Sequence, residues 1–119
     1  MKVFLVEDSP LLRSRLETLL SAIPGARTVG YAAGTNDAIQ AILAQRPDAV
    51  VLDIHLEQGN GFDVLQALQN AALTTTIFVL TNYQNDAYRR KAEGLGARGF
   101  FDKSKELDAL RSALAVAAA

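Results

Sequence analysis

Two short apolar runs that each end in acidic residues constrain the fold of this chain most. Val3–Val6 is followed by Glu7 and Asp8, and Ala49–Leu52 is followed by Asp53. A short, wholly apolar run predicts a strand buried on both faces, as in a parallel sheet covered by helices. In open parallel sheets, ligand sites form outside the carboxyl ends of the strands. The three acids are therefore expected at a functional edge of a sheet.

Strand and helix signals alternate along the rest of the chain. Strands are predicted at residues 2–6, 27–33, 49–53, 76–80 and 98–101, with a helix after each. Ser9, Asn85 and Ser104 are predicted to cap three of the helices, and Gly34–Asn36 is predicted to lead into the helix Asp37–Gln45. Five strands and five helices predict one α/β domain over residues 1–119, with a doubly wound parallel sheet.

Composition excludes several classes of protein. Of 119 residues, 50% are hydrophobic and 21% are charged, an ordinary globular balance, and the net charge of −1 does not suggest a nucleic-acid surface. Cysteine is absent, so disulfides and thiolate metal sites are excluded. The apolar runs are too short to span a bilayer, and the start does not resemble a signal peptide. A soluble, cytoplasmic protein with no membrane contact is expected.

Chemically capable groups follow four of the five predicted strands. They are Glu7–Asp8, Asp53, Thr81 and Lys103. If the less apolar second strand lies at the edge, the order is 2-1-3-4-5 and Asp8 and Asp53 become neighbours at the switch point. Clustered carboxylates raise each other's pKa unless a cation intervenes, and oxygen ligands favour Mg²⁺. A carboxylate beside a metal ion, a lysine and a hydroxyl is suited to attack a phosphorus atom.

These residues resemble the receiver domains of two-component response regulators, over essentially the whole chain. Glu7 and Asp8 match the family's acidic pair, Asp53 its phosphoacceptor, Thr81 its switch hydroxyl and Lys103 its lysine. Gly61, eight residues after Asp53, fits the family's loop, and Phe100 stands where receivers carry a switch aromatic. The resemblance implies a flavodoxin-like fold with five strands and five helices.

The resemblance also implies a mechanism. Mg²⁺ would be bound by Asp8, Asp53 and the backbone carbonyl of His55, with Glu7 acting mainly through water. A histidine kinase or phosphotransfer protein would supply the phosphoryl group. Thr81 would then be drawn inward and Phe100 would turn into the space it leaves, which would reshape the face formed by the fourth helix, fifth strand and fifth helix.

The same resemblance implies a switch that catalyses only its own phosphorylation and dephosphorylation. Its partner would be a downstream protein, or an effector domain absent from this sequence. A homodimer is left open, and direct nucleic-acid binding is not expected.

Some positions depart from the family's pattern. Glu57 stands where many receivers have proline, so the loop after Asp53 is expected to be less rigid. Asn82 replaces a small residue and is expected to narrow access to the site. His55 and Tyr83, each two residues after a site residue, are large. We hypothesise that they impede the hydrolytic water and prolong the phosphorylated state.

Other interpretations stay open at this point. Taken one at a time, the acids can be interpreted as ordinary turn or cap residues. In the same way, Thr81 can be interpreted as the end of a strand, Lys103 as a surface lysine and Phe100 as a core residue. An Asp-nucleophile phosphatase usually has a second acid two residues after the nucleophile, where this chain has His55. A flavin-binding domain would need a Ser-, Thr- and Gly-rich loop after the first strand. A degenerate receiver would act only as a phosphorylation-independent interaction domain.

Overall fold

A computed structural model describes residues 1–83 and 85–119 as alternating strands and helices. The strands are β1 (Lys2–Val6), β2 (Arg27–Ala32), β3 (Ala49–Leu52), β4 (Thr76–Thr81) and β5 (Gly99–Asp102). The helices are α1 (Pro10–Ser21), α2 (Thr35–Gln45), α3 (Gly61–Asn70), α4 (Asp86–Gly94) and α5 (Leu107–Ala118). Within the described ranges, no helix is long and apolar enough to cross a membrane.

The strands form one parallel sheet in the order β2-β1-β3-β4-β5, which confirms the predicted flavodoxin-like α/β fold. β1 and β3 are neighbours, and Val6 pairs with Leu52 in their register. Because those residues end the two strands, Glu7 and Asp53 begin the two loops side by side. The switch point of the sheet therefore carries the acidic residues, as the strand order predicts.

Strand residues alternate between two apolar layers. Phe4, Val50 and Val79 face one layer with buried residues of α2, α3 and α4. Leu5 and Val51 face the other layer, with buried leucines of α1 and α5. Since every residue of β3 is buried, its unbroken apolar sequence follows from having helices on both faces. The sheet is therefore held between two helical layers, and the site residues follow the carboxyl ends of its strands.

Two of the three predicted helix N-caps are present in the structure. The side chains of Ser9 and Asn85 accept hydrogen bonds from the third residue after each, as predicted for N-caps. Ser104 does not cap α5: its N–H donates to Asp102 Oδ1 at 2.7 Å, in a turn before the helix. α5 begins at Leu107, after Glu106, whose carboxylate accepts from the Asp102 N–H at 3.0 Å. The cap predicted at Ser104 is therefore wrong.

The second helix starts earlier than predicted. α2 begins at Thr35, directly after Gly34, which occupies the N-cap position with extended backbone and no side-chain hydrogen bond. The Thr35 hydroxyl instead donates to Gln58 O at 3.0 Å. Because that contact joins residues far apart in sequence, the local turn signal of Gly34–Asn36 does not reveal it.

Candidate functional site

Three carboxylates meet at the carboxyl edge of the sheet. Glu7 and Asp8 follow β1, Asp53 follows β3, and one oxygen from each lies within 4.8 Å of the others. Glu7 is 2% exposed and Asp53 is 3% exposed, whereas Asp8 is half-buried. Such a concentration of buried negative charge is unfavourable unless a cation accompanies it.

Lys103 supplies one cation to this cluster. It follows β5, and its Nζ lies 2.8 Å from Glu7 Oε1 and 2.7 Å from Asp53 Oδ2. The lysine side chain is 14% exposed, so both ion pairs are largely removed from water. The sequence prediction that Lys103 joins the acids at this edge agrees with the geometry.

Burial and the ion pairs with Lys103 together set the protonation equilibria of the cluster. Burial raises the pKa of Glu7 and of Asp53, and their hydrogen bonds to Lys103 offset that rise only in part. Repulsion between carboxylates adds to the increase, because Asp53 acts on Glu7 and Asp8 acts on Asp53. Burial would lower the pKa of Lys103, but its hydrogen bonds to Asp53 and Glu7 raise it above the ordinary value. The site thus favours added positive charge.

Backbone N–H groups orient each carboxylate. The Ser9 N–H donates to Glu7 Oε2 at 2.9 Å, and the His55 N–H donates to Asp53 Oδ1 at 3.2 Å. A third bond, from the Glu57 N–H to Asp8 Oδ2 at 2.9 Å, crosses from the β3–α3 loop to the β1–α1 turn. Because Glu57 and Asp8 lie far apart in the sequence, no local pattern indicates this last contact.

The donor set fits a hard divalent cation. All three clustered groups are carboxylates, and Mg²⁺ prefers oxygen ligands and takes one or two carboxylates together with water and phosphate. Such an ion would relieve the repulsion among the three carboxylates. The residues predicted to bind Mg²⁺ through side chains, Asp8 and Asp53, both belong to this cluster, together with Glu7.

Thr81 ends β4 on the other side of β3 and is fully buried. Its Oγ1 accepts a hydrogen bond from the Tyr83 N–H at 3.1 Å, and the hydroxyl still carries a proton that it can donate. Asn82 is exposed, and its Oδ1 accepts from the Ser104 hydroxyl at 3.4 Å. This contact joins the loops that follow β4 and β5.

The His55 ring contacts the Tyr83 ring, with centroids 3.7 Å apart and ring planes tilted by 44°. Tyr88 of α4 lies 5.8 Å from the same histidine ring, and Phe62 of α3 contacts Tyr88 edge-on at 5.4 Å. Both His55 and Tyr83 are exposed. These aromatic side chains therefore form a continuous surface from the loop after Asp53 to α4.

Phe100 on β5 points into the core, with 4% of its surface exposed. Its backbone pairs with Val79, two residues before Thr81, and the Arg89 guanidinium of α4 lies 5.0 Å from its ring centroid. Phe101 faces the opposite layer and is half-buried against Phe78. In the structure the ring predicted to turn inward already occupies an inward position.

Gly61 shows why the β3–α3 loop needs glycine. A Cβ at this position would lie 2.3 Å from the Asp53 carbonyl oxygen and 2.9 Å from Ile54 Cα. The Gly61 N–H also donates to Ile54 O at 2.8 Å, which closes the loop on itself. The glycine therefore allows the start of α3 to pack directly against the backbone of Asp53.

Comparison with known proteins identifies the family. Residues 3–115 match the response regulator receiver domain. The DNA-binding transcriptional activator DevR/DosR of Mycobacterium tuberculosis is 36% identical over 102 residues, which are 86% of this chain and 47% of that protein. The nitrate/nitrite response regulator protein NarL of Escherichia coli is 30% identical over 98% of this chain and 54% of that protein. The chain belongs to the response regulator receiver domain family of two-component systems.

Solved structures agree with this assignment. A two-component response regulator of the LuxR family from Aurantimonas sp. superposes with a TM-score of 0.88 at 27% identity, covering 98% of this chain and 84% of that one. A LuxR-family DNA-binding response regulator from Staphylococcus aureus shares the fold, with a TM-score of 0.89 at 19% identity over 99% of this chain and 98% of that one. The chain spans about half the length of the curated relatives it matches.

Proposed function

We propose that this domain is a phosphorylation switch in which Asp53 accepts a phosphoryl group from a histidine kinase or phosphotransfer protein. The observation that carries the proposal is the pairing of Asp53 Oδ2 with Lys103 Nζ at 2.7 Å, inside a cluster of three carboxylates. A buried nucleophile held beside a cation, at the switch point of the sheet, has the environment that acyl-phosphate formation requires.

In the proposed step, a carboxylate oxygen of Asp53 forms a bond to phosphorus as the phosphorus–nitrogen bond of a phosphohistidine breaks. The electron pair of that bond stays on the imidazole nitrogen, which takes up a proton. The Lys103 ammonium neutralises charge on the phosphoryl oxygens, and the Thr81 hydroxyl donates a hydrogen bond to one of them. Bonds to Ser9 and His55 amides keep Glu7 and Asp53 oriented during transfer.

Bound Mg²⁺ would neutralise charge on the transferring group, with Asp8, Asp53 and the His55 carbonyl as its protein ligands and Glu7 acting through water. Asp8 is the half-buried member of the cluster, so it offers the cation an approach from solvent. The raised pKa of Asp53 supports a role for added positive charge, because the ionised nucleophile is otherwise disfavoured by burial.

We further propose that the acyl phosphate is read at the face formed by α4, β5 and α5. Thr81 would move toward the phosphoryl group and give up its hydrogen bond with the Tyr83 N–H. Phe100 would be held in the inward position that it occupies in the structure, under Arg89 of α4. A downstream protein, or an effector domain beyond these residues, would detect the changed α4 surface.

The domain would catalyse only its own phosphorylation and dephosphorylation and would act in the cytoplasm, without contacting nucleic acid itself. Its full-length relatives DevR/DosR and NarL are described as a DNA-binding activator and a response regulator, which supports an output in gene regulation. An Asp-nucleophile phosphatase is disfavoured, because the residue two positions after Asp53 is histidine rather than an acid.

The test is incubation with Mg²⁺ and acetyl phosphate, followed by intact mass measurement. We expect one phosphoryl adduct on the wild type, and none when Mg²⁺ is chelated or when Asp53 is replaced by Asn. Asp63→Asn, a change in the first turn of α3, is the matched control and should be phosphorylated normally. Absence of an adduct with every donor would favour the degenerate receiver instead.

A further inference from the structure

The loop that follows β3 reaches across to the acidic turn through one backbone N–H. Glu57 N lies 2.9 Å from Asp8 Oδ2. The residue is exposed, and its contact with Asp8 is made by the backbone N–H. Proline, the residue expected here from the family resemblance, has no N–H and cannot make this bond. The departure from the pattern therefore adds a hydrogen bond to the site.

The same loop is fixed from its other side, which keeps that N–H in place. The Thr35 N–H and hydroxyl donate to Gln58 O at 3.1 and 3.0 Å, and the hydroxyl also lies 3.3 Å from Asn60 O. Gly59 has a positive φ of 86°, and a Cβ there would lie 2.1 Å from Thr35 Oγ1. Residue 57 is thus bonded to the turn that follows β1, and residue 58 is bonded to the start of α2.

Asp8 is held differently from the other two acids. Lys103 bridges Glu7 and Asp53, whereas one oxygen of Asp8 is bound by the loop amide. A hydrogen bond to one oxygen of a ligating carboxylate fixes its orientation and leaves the second oxygen for a cation. The amide acts on Asp8 alone, so its loss should weaken metal binding without removing a ligand.

We propose that the backbone amide of Glu57 is a positioning group for divalent-cation binding by Asp8. The inference rests on the proposed function only in taking Asp8 as a Mg²⁺ ligand, and it makes no use of phosphoryl transfer. It assigns a role to the one loop position where this chain replaces the expected proline. That role belongs to the main chain and is retained by any residue other than proline.

The first test compares Mg²⁺ affinity, measured by titration calorimetry without a phosphodonor, for the wild type, Glu57→Pro and Glu57→Gln. Loss of a hydrogen-bond partner outside the ligand shell costs about 10-fold or more in metal affinity, which is the effect expected for Glu57→Pro. Glu57→Gln, which retains the amide, should bind like the wild type. Equal affinities in all three proteins would overturn the proposal, as would a Glu57→Gln variant as weak as Glu57→Pro.

A second measurement needs no metal and no proline substitution, in case Glu57→Pro fails to fold. Amide hydrogen exchange of residue 57 is followed by NMR in the metal-free wild type and in Asp8→Ala. Exchange should accelerate at residue 57 in the variant, while the Gly61 amide, bonded to Ile54 O at 2.8 Å, keeps its protection. Unchanged exchange at residue 57 would show that Asp8 does not hold this amide. Because neither test involves phosphorylation, failure of the proposed function leaves both outcomes interpretable.

Discussion

Replacement of Lys103 by Met should expose the electrostatic cost of the acidic site. The substitution keeps a long side chain but removes the ammonium that lies 2.8 Å from Glu7 and 2.7 Å from Asp53. The two carboxylate side chains are only 3% and 4% exposed, so water cannot replace the lost partner. Removing one member of a buried ion pair costs about 3 kcal/mol, because the remaining charges are left uncompensated.

For a domain of this size that loss corresponds to a fall in Tm of roughly 10 °C. Thermal unfolding is followed by far-UV circular dichroism at neutral pH with EDTA, and Lys105→Met, a change of an exposed lysine in the same turn, is the control. Adding Mg²⁺ should raise the Tm of Lys103→Met by more than it raises the Tm of the wild type, because the ion replaces the lost positive charge. A Tm loss no larger than that of Lys105→Met would refute the electrostatic account of the site.

Three further predictions test other parts of the structure. Gly61→Ala should lower the free energy of unfolding by several kcal/mol, because the added Cβ would lie 2.3 Å from the Asp53 carbonyl oxygen. Gly94→Ala, where an added Cβ meets nothing within 4 Å, should instead raise it by about 1 kcal/mol. Urea unfolding of both variants measures the two changes. Replacing His55 and Tyr83 by alanine should speed autodephosphorylation, measured by loss of the phosphorylated mass, and an unchanged rate would rule out a shielding role for these two side chains. Asp53→Asn should raise Tm over the wild type more at neutral pH than at a pH near 3.8, the ordinary value of this carboxyl pKa, because a raised folded pKa gives stability at low pH that is lost as the pH rises through it. Equal Tm differences at both pH values would contradict that last expectation.

Local and periodic signals predicted the sheet well. The apolar runs before Glu7 and Asp53 are buried strands because helices cover both faces, and this is the condition under which such runs occur. Ser9 and Asn85 cap helices because a side chain and an amide three residues later are close whenever a helix begins. Because such strands and caps depend on residues close together in the sequence, they can be predicted without knowing how the elements pack.

Competing local hydrogen bonds and contacts between distant loops could not be predicted. Ser104 does not cap the helix because the N–H groups of Ser104 and Lys105 donate to the Asp102 carboxylate. These residues form a turn, and the helix begins only after it. The Thr35 contact with Gln58 and the Glu57 contact with Asp8 join loops that only the strand order brings together. The expectation of a less rigid loop at Glu57 stays a prediction, and it did not include the hydrogen bond from the Glu57 N–H to Asp8.

Phosphoryl transfer to Asp53 is tested most directly by chemical identification of the phosphorylated residue. The protein is phosphorylated with acetyl phosphate and Mg²⁺, reduced with borohydride, which converts an aspartyl phosphate to homoserine, and sequenced by mass spectrometry of its peptides. We expect homoserine at position 53 only, and no conversion when Mg²⁺ is chelated. Conversion at Asp8, phosphate retained on another residue such as His55, or no modification at all would contradict the assignment of Asp53 as the phosphoacceptor.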